Sequence, residues 1–481
     1  MKLDHLKYPG IGLLLLLASL PAMMVQTGCA NIIPPQGGPR DSIPPVLIRA
    51  NPGDSSLHFD GNKINFSFDE YVKLENVQEN LIVSPMPRIT PVVEYKLNTV
   101  SVKLKDSLEP NTTYILNFGN AIRDENESNP LKNFTYIFST GAYFDSLSLK
   151  GRIRIARTGE TDTTLILMLH KSGRDSAVVE EKPRYITKPD GNGNFVFRNL
   201  PAGTFYLYAL KDESGGRRYF NSNQLFAFAD QPFNTAGKND TITLYAWSDN
   251  KKAESLRSLN FQTPGQRRGQ TQTEDKRLRW HTNLMNFSQD LQEDLILYFD
   301  QPLKKFDSTG ISLFTDTSYN PVKGYKLSTD SLLTSATIHV NWVENTQYHL
   351  ILNKEFGEDS TGKKLLKTDT VHFATRRKED YGQLSIRFRG IDTATHPVVQ
   401  FVSNDEVKRS FPLKSADLKQ DLFVPGDYQL RILFDRNQNG VWDGGEFFGK
   451  RIQPEIVKPV KRKITVKAGM ENEFEIQVDS L

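Results

Sequence analysis

The chain has 481 residues, and its 60 Lys and Arg nearly balance its 57 Asp and Glu, for a net charge of +3. This balance excludes the concentrated basic character that nucleic-acid binding usually needs. Cys29 is the single cysteine, so an internal disulfide is excluded and each domain must depend on its own apolar core. The length predicts several domains, and 25 Pro with 32 Gly are typical of short strands joined by turns.

Residues 1–28 predict a secretory signal peptide. Two lysines precede the apolar run Ile11–Leu20, which is shorter than the roughly 20 residues needed to span a bilayer. Small residues stand immediately before Cys29, as in a lipobox, although Gln26 occupies a position that is usually aliphatic. The pattern predicts cleavage before Cys29 and a covalent lipid on that residue. An ordinary signal peptide with an incidental cysteine is the alternative.

Residues 29–43 predict a tether between this anchor and the first domain. The segment contains Pro34, Pro35 and Pro39, and Pro-rich linkers are semi-extended. The lipid anchor would therefore hold the rest of the chain at a short distance from a membrane.

Two kinds of unit alternate along the remaining chain. We name them unit A (44–141), unit B (142–247), unit A′ (281–376) and unit B′ (377–481), with a basic linker at 248–280 between the two halves. Apolar and polar residues alternate in their strand-like runs, and Pro, Asn and Gly separate the runs. Because equivalent segments recur in the same order, the sequence predicts a duplication of an A–B pair.

Three segments of unit A recur in unit A′. In unit A they are Ile64–Asp69, Leu108–Leu116 and Tyr136–Thr140, and in unit A′ they are Leu295–Asp300, Val343–Leu350 and Val371–Thr375. Units B and B′ share one segment that aligns without a gap, Gly203–Asp212 with Gly426–Asp435. In each, a turn glycine begins a strand that ends at an aspartate.

These segments carry a family resemblance. Units A and A′ resemble bacterial Ig-like domains, in which a strand ending in Phe-Asp, a Leu-x-Pro-Asn-Thr-x-Tyr stretch and a closing Phe-x-Thr recur. Units B and B′ resemble transthyretin-like β-sandwiches, whose motif is met in unit B by Gly193, Phe195, Phe197, Leu200, Pro201, Gly203 and Leu207. The resemblance implies an all-β fold of tandem β-sandwiches, with Ig-like domains alternating with transthyretin-like domains.

The whole chain is similar to the Ig-like-domain envelope lipoproteins of Bacteroidetes. Those proteins carry a Gly-Gly-Pro-(Lys/Arg)-Asp stretch soon after the lipidated cysteine, and Gly37–Asp41 fits it. Members bound for the cell surface carry an acidic tract after the cysteine, whereas Ala30–Pro35 has no acid. The resemblance therefore implies an outer-membrane lipoprotein, lipid-anchored, with the periplasmic face favoured over the cell surface.

The linker at 248–280 has far more Lys and Arg than Asp and Glu. Clustered basic residues near a membrane attract acidic headgroups, lipopolysaccharide phosphates or an acidic partner. A solvated connector is the simpler interpretation, because charge-rich segments with few aromatics often stay disordered.

The most specific chemical pattern lies in unit B′, where Asp435–Glu446 matches the calcium-loop sequence D-x-[DN]-x-[DN]-G-x5-E. Calcium takes six to eight oxygen ligands, and this spacing predicts a set with a glycine at the sharp turn. The predicted ligands are Asp435, Asn437, Asn439, the Val441 carbonyl, Asp443 and Glu446. A hairpin loop that caps its own backbone is the alternative. The corresponding Asp212–Arg217 of unit B lacks the later ligands.

Three histidines fall on predicted strands of unit A′: His339, His349 and His372. The alternation predicts that they face solvent, and neighbouring strands could bring two of them together. A functional zinc site would need three or four converging ligands. No H-E-x-x-H pattern, Cys/His cluster or G-x-S-x-G elbow is present, so the sequence predicts no catalytic site.

These observations favour a non-enzymatic lipoprotein that docks other envelope proteins through its sandwich surfaces. Sheet edges offer unpaired backbone groups that a partner strand can extend. The expected partners are the membrane, through the lipid, and an outer-membrane or envelope protein complex; no nucleic acid and no small-molecule cofactor are expected. The alternative is a carbohydrate-binding or carbohydrate-processing accessory lipoprotein, for which exposed tryptophans among Trp247, Trp280, Trp342 and Trp442 would be needed.

Overall fold

The structure, a computed structural model, describes residues 40–237, 241–248 and 277–478. The predicted signal peptide, Cys29, most of the tether and most of the basic linker lie outside the described residues. Within them the prediction of an all-β fold of β-sandwiches is confirmed. No helix in this described part is long and apolar enough to span a membrane.

Unit A has a four-stranded sheet, β1-β2-β6-β5, that packs against a three-stranded sheet, β4-β7-β9, and a two-stranded pair, β3-β8. In β2 the apolar residues alternate with polar ones, and each apolar side chain of this strand is buried. The strands are β1 Leu47–Asn51, β2 Lys63–Phe68, β3 Val72–Leu74, β4 Ile82–Ser84, β5 Val92–Lys96, β6 Thr99–Lys103, β7 Thr113–Asn117, β8 Ile122–Asp124 and β9 Thr135–Ser139, with helix α1 at Val77–Asn80.

Unit A′ has the matching arrangement. Its sheets are β18-β20-β25-β24, β19-β28-β26-β22-β23 and β21-β27. The strands are β18 Trp280–Thr282, β19 Ser288–Gln289, β20 Leu295–Phe299, β21 Leu303–Phe306, β22 Ile311–Thr315, β23 Asn320–Pro321, β24 Lys326–Thr329, β25 Ser335–His339, β26 Gln347–Leu352, β27 Gly357–Asp359 and β28 Asp369–Thr375. Leu278 lies in the core of this unit and Trp280 begins β18, so the end of the sequence-predicted linker belongs to unit A′.

Unit B is a sandwich of the sheets β13-β10-β17 and β12-β11-β14-β15, with β16 paired to β14. β10 pairs antiparallel with β13 and parallel with the last strand, β17. The strands are β10 Leu147–Ile155, β11 Leu165–His170, β12 Tyr185–Thr187, β13 Asn194–Leu200, β14 Thr204–Lys211, β15 Phe226–Phe228, β16 Phe233–Asn234 and β17 Ile242–Ala246, with helix α2 at Ala177–Glu180.

Unit B′ repeats this strand order, with sheets β32-β29-β35 and β31-β30-β33-β34. Its last strand, β35, again runs parallel to its first, β29. The strands are β29 Gly382–Arg389, β30 Pro397–Ser403, β31 Glu406–Pro412, β32 Asp417–Phe423, β33 Gly426–Phe434, β34 Ile456–Val466 and β35 Glu471–Gln477. Short 3-10 turns lie at Ser308–Gly310, Lys378–Asp380 and Thr393–Thr395.

Polar contacts join unit A to unit B and unit A′ to unit B′. Between units A and B, the Arg184 guanidinium donates to both carboxylate oxygens of Glu109, at 2.6 and 2.5 Å. This pairing lowers the pKa of Glu109. Between units A′ and B′, Arg409 lies 2.8 Å from Asp290 and 2.9 Å from Glu293. The two junctions therefore use ion pairs at different positions.

Candidate functional site

The loop between β33 and β34 of unit B′ contains every residue of the predicted calcium site. The Asp435 side chain is buried, and its carboxylate accepts the Gly440 N–H at 2.7 Å. The side-chain amides of Asn437 and Asn439 both donate to Asp443 Oδ2 at 2.7 Å. The segment thus has the self-capping hydrogen bonds of the alternative that the sequence left open.

Glu446, the acid at the end of the calcium pattern, has a partner other than the predicted ligands. Glu446 pairs with Lys450 at 2.9 Å. The carboxylate that meets the start of the loop belongs to Glu455, which accepts the N–H groups of Arg436 at 2.7 Å and Asp443 at 3.1 Å. Burial raises the pKa of Glu455, and the charges of the two loop aspartates add to this effect. Sequence reasoning missed Glu455 because it lies beyond the twelve-residue pattern.

Four of the predicted ligands lie together, since Asn437 and Asn439 both contact Asp443 and the Asn439 N–H also lies 3.3 Å from the Asp435 carboxylate. In the described residues, no three His, Cys, Asp or Glu side chains are arranged to hold a metal ion. Val441 donates its N–H to the Asn439 side chain, while its own side chain is exposed. The loop is closed by its own hydrogen bonds, and calcium binding stays a prediction.

The second half of the same loop, Gly445–Gln453, contacts unit B, and we call it the docking loop. Phe447 is 4% exposed and inserts among three aromatic rings of unit B. Its ring centroid lies 5.0 Å from that of Phe226, 5.1 Å from Phe228 and 5.8 Å from Tyr208. Edge-to-face and tilted contacts at such distances stabilise aromatic clusters. The docking loop therefore shares a core with the outer face of the sheet in unit B.

Trp247, the last residue of unit B as predicted, fixes the backbone of the docking loop. Its indole N–H donates to the Gly445 carbonyl at 3.0 Å. A Cβ at Gly445 would lie 2.7 Å from the Trp247 ring and 2.8 Å from the Ile452 carbonyl. Only glycine fits this close approach of backbone to indole.

Polar contacts surround the aromatic cluster. Arg451 lies 2.7 Å from Asp175 of unit B and over the Phe447 ring at 5.5 Å. The Gln453 side chain donates to the Phe228 carbonyl at 3.0 Å and to Asp230 at 2.7 Å. The contact therefore combines a buried aromatic centre with a polar rim, as protein interfaces do.

Next to this contact, units B and B′ form an open cleft of about 440 Å³. Its walls include Asp230, Pro232 and Tyr245 from unit B and Gln453 and Ile456 from unit B′. The cleft is of the size of a small-molecule pocket, but its walls hold no constellation with an evident chemistry.

His170 lies beneath the aromatic cluster, on β11. It is 1% exposed, neither ring nitrogen has a hydrogen-bond partner, and its ring meets that of Tyr208 edge-on at 5.5 Å. Burial lowers the pKa of His170 to about 4 against the weak opposing effect of Glu181. This buried neutral histidine is a second feature that the sequence did not predict.

The histidines of unit A′ differ in their surroundings. His339 is exposed, and its two ring nitrogens contact Asp294 at 2.7 Å and Ser328 at 2.8 Å. His349 and His372 are directly opposite each other on β26 and β28. The prediction that all three face solvent is wrong for His349, which is 8% exposed because Tyr319 stacks over its ring at 4.7 Å.

None of the four tryptophans is exposed. Trp247 is buried, and the indoles of Trp342 and Trp442 donate to the Glu293 and Glu455 carbonyls at 2.9 and 2.8 Å. Trp280 is half-buried in unit A′. No tryptophan is therefore available as a flat platform for a sugar ring.

Residues 41–140 match the family model of the bacterial Ig-like domain. This is unit A, so its assignment as an Ig-like domain is confirmed. The Ig-like character of unit A′ and the transthyretin-like character of units B and B′ stay predictions. None of the curated proteins compared matches the chain.

Comparison with solved structures returns matches of low similarity. The TIE protein of Bacillus anthracis is 10% identical over 92% of this chain and 75% of its own, with a TM-score of 0.17. The major pilin subunit BcpA of Bacillus cereus is 9% identical over 69% of this chain and 98% of its own, with a TM-score of 0.17. The N-terminal part of the bacterial S-layer protein SbsC is 14% identical over 43% and 44%, with a TM-score of 0.15. At these scores the likenesses carry no argument about function.

Proposed function

We propose that this protein is a non-catalytic envelope lipoprotein, anchored in the outer membrane through Cys29, that serves as a scaffold for other envelope proteins. The observation that carries the proposal is the contact between units B and B′. The buried Phe447 and the Arg451–Asp175 pair tie the two halves together across the basic linker. A chain joined in this way presents its sandwich surfaces and sheet edges in a fixed arrangement, which suits docking of partners.

The anchor is tested by comparing the full chain with its Cys29→Ser variant in cells fed an alkyne fatty acid. The wild type is expected to become labelled and to remain with the membranes after a high-salt wash, whereas the variant does neither. An unlabelled wild type would contradict lipidation. Protease treatment of intact cells then tests the membrane face, and survival of the protein supports the periplasmic side.

The scaffold role is tested by affinity purification of the full chain, tagged after Leu481, from detergent-solubilised membranes. A partner recovered in stoichiometric amount supports the proposal. The matched control is the Cys29→Ser variant, which is expected to lose partners that require membrane placement. Recovery of no partner, together with binding of glycans by the full chain, would favour the carbohydrate-binding alternative instead.

Calcium in the loop after β33 would stiffen the segment that leads into the docking loop. Its ligands would be Asp435, Asn437, Asn439, the Val441 carbonyl and Asp443, with Glu455 in place of Glu446. Calorimetry on the full chain is expected to show a calcium heat that Glu455→Gln removes and Glu446→Gln leaves unchanged. Absence of heat in the wild type would end the calcium prediction without touching the scaffold.

A further inference from the structure

The outer face of one sheet in unit A′ brings two imidazoles into direct contact. His349 on β26 and His372 on β28 are cross-strand partners, and their Nδ1 atoms are 2.5 Å apart. The ring planes are inclined by 77°, with centroids 4.6 Å apart. The neighbours of His349 in β26, Tyr348 and Leu350, point into the core of the unit. The two histidines therefore lie on the opposite face of this sheet.

The hydrogen bonds of His349 define its tautomer. Its Nε2 lies 2.8 Å from the carbonyl oxygen of Asp316, and a carbonyl can only accept. Nε2 therefore carries the hydrogen, and in the neutral ring Nδ1 presents its lone pair towards His372. In the contact between the two Nδ1 atoms, His372 is therefore the hydrogen-bond donor and His349 the acceptor.

His349 is also held in place. Tyr319 stacks over its ring, and the turn that supplies the Asp316 carbonyl is fixed by bonds from the Ser318 N–H and the Asn320 amide to the Asp316 carboxylate, both at 2.7 Å. A histidine whose far nitrogen donates to a backbone carbonyl has the arrangement typical of metal ligands, because that bond fixes the tautomer and the ring orientation. His372 is exposed and free to adjust.

We propose that His349 and His372 together bind one divalent transition-metal ion. The ion takes the place of the hydrogen between the two Nδ1 atoms, and that hydrogen moves to Nε2 of His372, so that both rings stay neutral and each Nδ1 offers a lone pair to the metal. The rings separate until their nitrogens are about 3 Å apart, as bond lengths near 2 Å require. Because no third His, Cys, Asp or Glu converges here among the described residues, water completes the coordination. Imidazole nitrogen suits Cu²⁺, Ni²⁺ and Zn²⁺, and the usual order of affinities makes Cu²⁺ the tightest of the three.

His339 offers a matched control within the same unit. It is also a histidine on a strand, but the carboxylate of Asp294 and the hydroxyl of Ser328 occupy both of its ring nitrogens. Substituting it changes the histidine content by the same amount without touching the proposed site.

The test is calorimetric titration of the purified full chain, carrying a tag without histidine, with CuCl₂ and separately with ZnCl₂. We expect one equivalent of Cu²⁺ to bind more tightly than Zn²⁺, and each of His349→Gln and His372→Gln to weaken Cu²⁺ binding by tenfold or more. His339→Gln should bind like the wild type. Electron paramagnetic resonance of the Cu²⁺-loaded protein should show coupling to two imidazole nitrogens in the wild type and to one in either variant.

Two results would overturn the proposal. The first is equal Cu²⁺ affinity for the wild type and the His349→Gln/His372→Gln double variant, which would mean an adventitious ion only. The second is a wild-type spectrum with a single coupled imidazole. Thermal melts without metal show whether a variant is folded, and His372→Gln alone keeps the test valid if His349→Gln unfolds, because the His372 side chain is exposed.

Discussion

Units B and B′ share a strand order but use the loop after the same strand in opposite ways. In unit B the loop after β14 folds back on its own sheet, where Tyr219 stacks on Phe226 at 4.3 Å. In unit B′ the loop after β33 leaves its own sheet and places Phe447 against Phe226 of unit B. Both loops therefore complete the core of unit B. The duplicated sandwiches are not equivalent, since unit B′ supplies the aromatic anchor Phe447 and unit B accepts it.

Equivalent positions on β14 of unit B and β33 of unit B′ show the same asymmetry. Tyr208 of β14 and Arg431 of β33 are equivalent by sequence, and both are buried. Tyr208 receives the docking loop, whereas the Arg431 guanidinium lies 3.8 Å from Glu160 of unit B. One face of the contact is thus aromatic and the other is charged.

The largest expected effect comes from removing the aromatic anchor. Phe447→Ala should weaken the contact between the halves by about 3 to 5 kcal/mol, because it empties a packed site among aromatic rings. A protease site inserted into residues 249–276 of the full chain allows the halves to be separated covalently, and gel filtration then reports whether they stay together. The wild type should stay together and Phe447→Ala should separate. Phe448→Ala truncates a half-exposed ring that contacts Tyr219 of unit B at 5.8 Å, and should have a clearly smaller effect.

A second prediction separates the two sandwiches by their response to acid. Above pH 6.5, His170 is neutral in both the folded and the unfolded chain. Between pH 6.5 and the folded pKa of about 4, the imidazole is protonated in the unfolded chain but not in the folded one. The free energy of unfolding of unit B should therefore fall by about 3 kcal/mol as the pH drops across this window. In unit B′ the equivalent position is the buried Val402. Urea unfolding at pH 7 and pH 4 should show a larger loss in the wild type than in His170→Val, and the difference between the two is the contribution of His170. The part of the loss that both chains share comes from carboxylates with lowered pKa values, such as Asp162. An equal loss in both would contradict the assignment.

A smaller loss in the contact between the halves is expected at Gly445, where the backbone of the docking loop contacts the Trp247 indole. Gly445→Ala places a Cβ 2.7 Å from the Trp247 ring and should cost about 1 to 3 kcal/mol of the contact between halves. The split-chain gel-filtration assay measures it through the concentration at which the halves dissociate. Gly191→Ala, in a turn of unit B where a Cβ meets no atom within 4 Å, is the control. Similar dissociation of both variants would remove the steric explanation.

The smallest effect on the contact between the halves is expected from the polar pairs that surround the aromatic cluster. Arg451 and Asp175 side chains are each 31% exposed, and such pairs contribute up to about 1 kcal/mol. Arg451→Ala should therefore shift dissociation of the split chain by no more than several-fold, and added salt should reduce the difference. Arg387→Ala removes a more exposed pair, with Asp417, that lies wholly within unit B′. A change in dissociation with Arg387→Ala as large as that with Arg451→Ala would argue against a local role.

The strands were predictable from sequence because burial on one face of a sheet repeats every second residue. A slip of one residue in β2 would expose Phe66 and Phe68 together, so the alternation determines which face is buried. The segment around Leu295–Phe299 was predictable for the same reason. Loops lack such a period. The calcium pattern has a fixed length of twelve residues, so it could not identify Glu455, which lies beyond its end.

The contacts of the docking loop could not be predicted from local sequence patterns, because they join residues from distant parts of the chain. Its sequence signal was the adjacent Phe447 and Phe448 in an otherwise polar, glycine-rich segment, but this signal does not name a partner. The burial of His349 was missed for a related reason. The side chain that covers it, Tyr319, comes from a loop whose path the strand pattern does not determine.

The parallel pairing of first and last strands has a mechanical consequence. In unit B the chain enters at β10 and leaves at β17, and these neighbours run in the same direction with Gly151 opposite Ile242 and Ile155 opposite Ala246. A pull on the two ends slides the strands past each other, so it loads all their evenly spaced hydrogen bonds at once. Unit B′ repeats this geometry with β29 and β35. A pull on the ends of either sandwich would therefore break these hydrogen bonds together rather than one at a time.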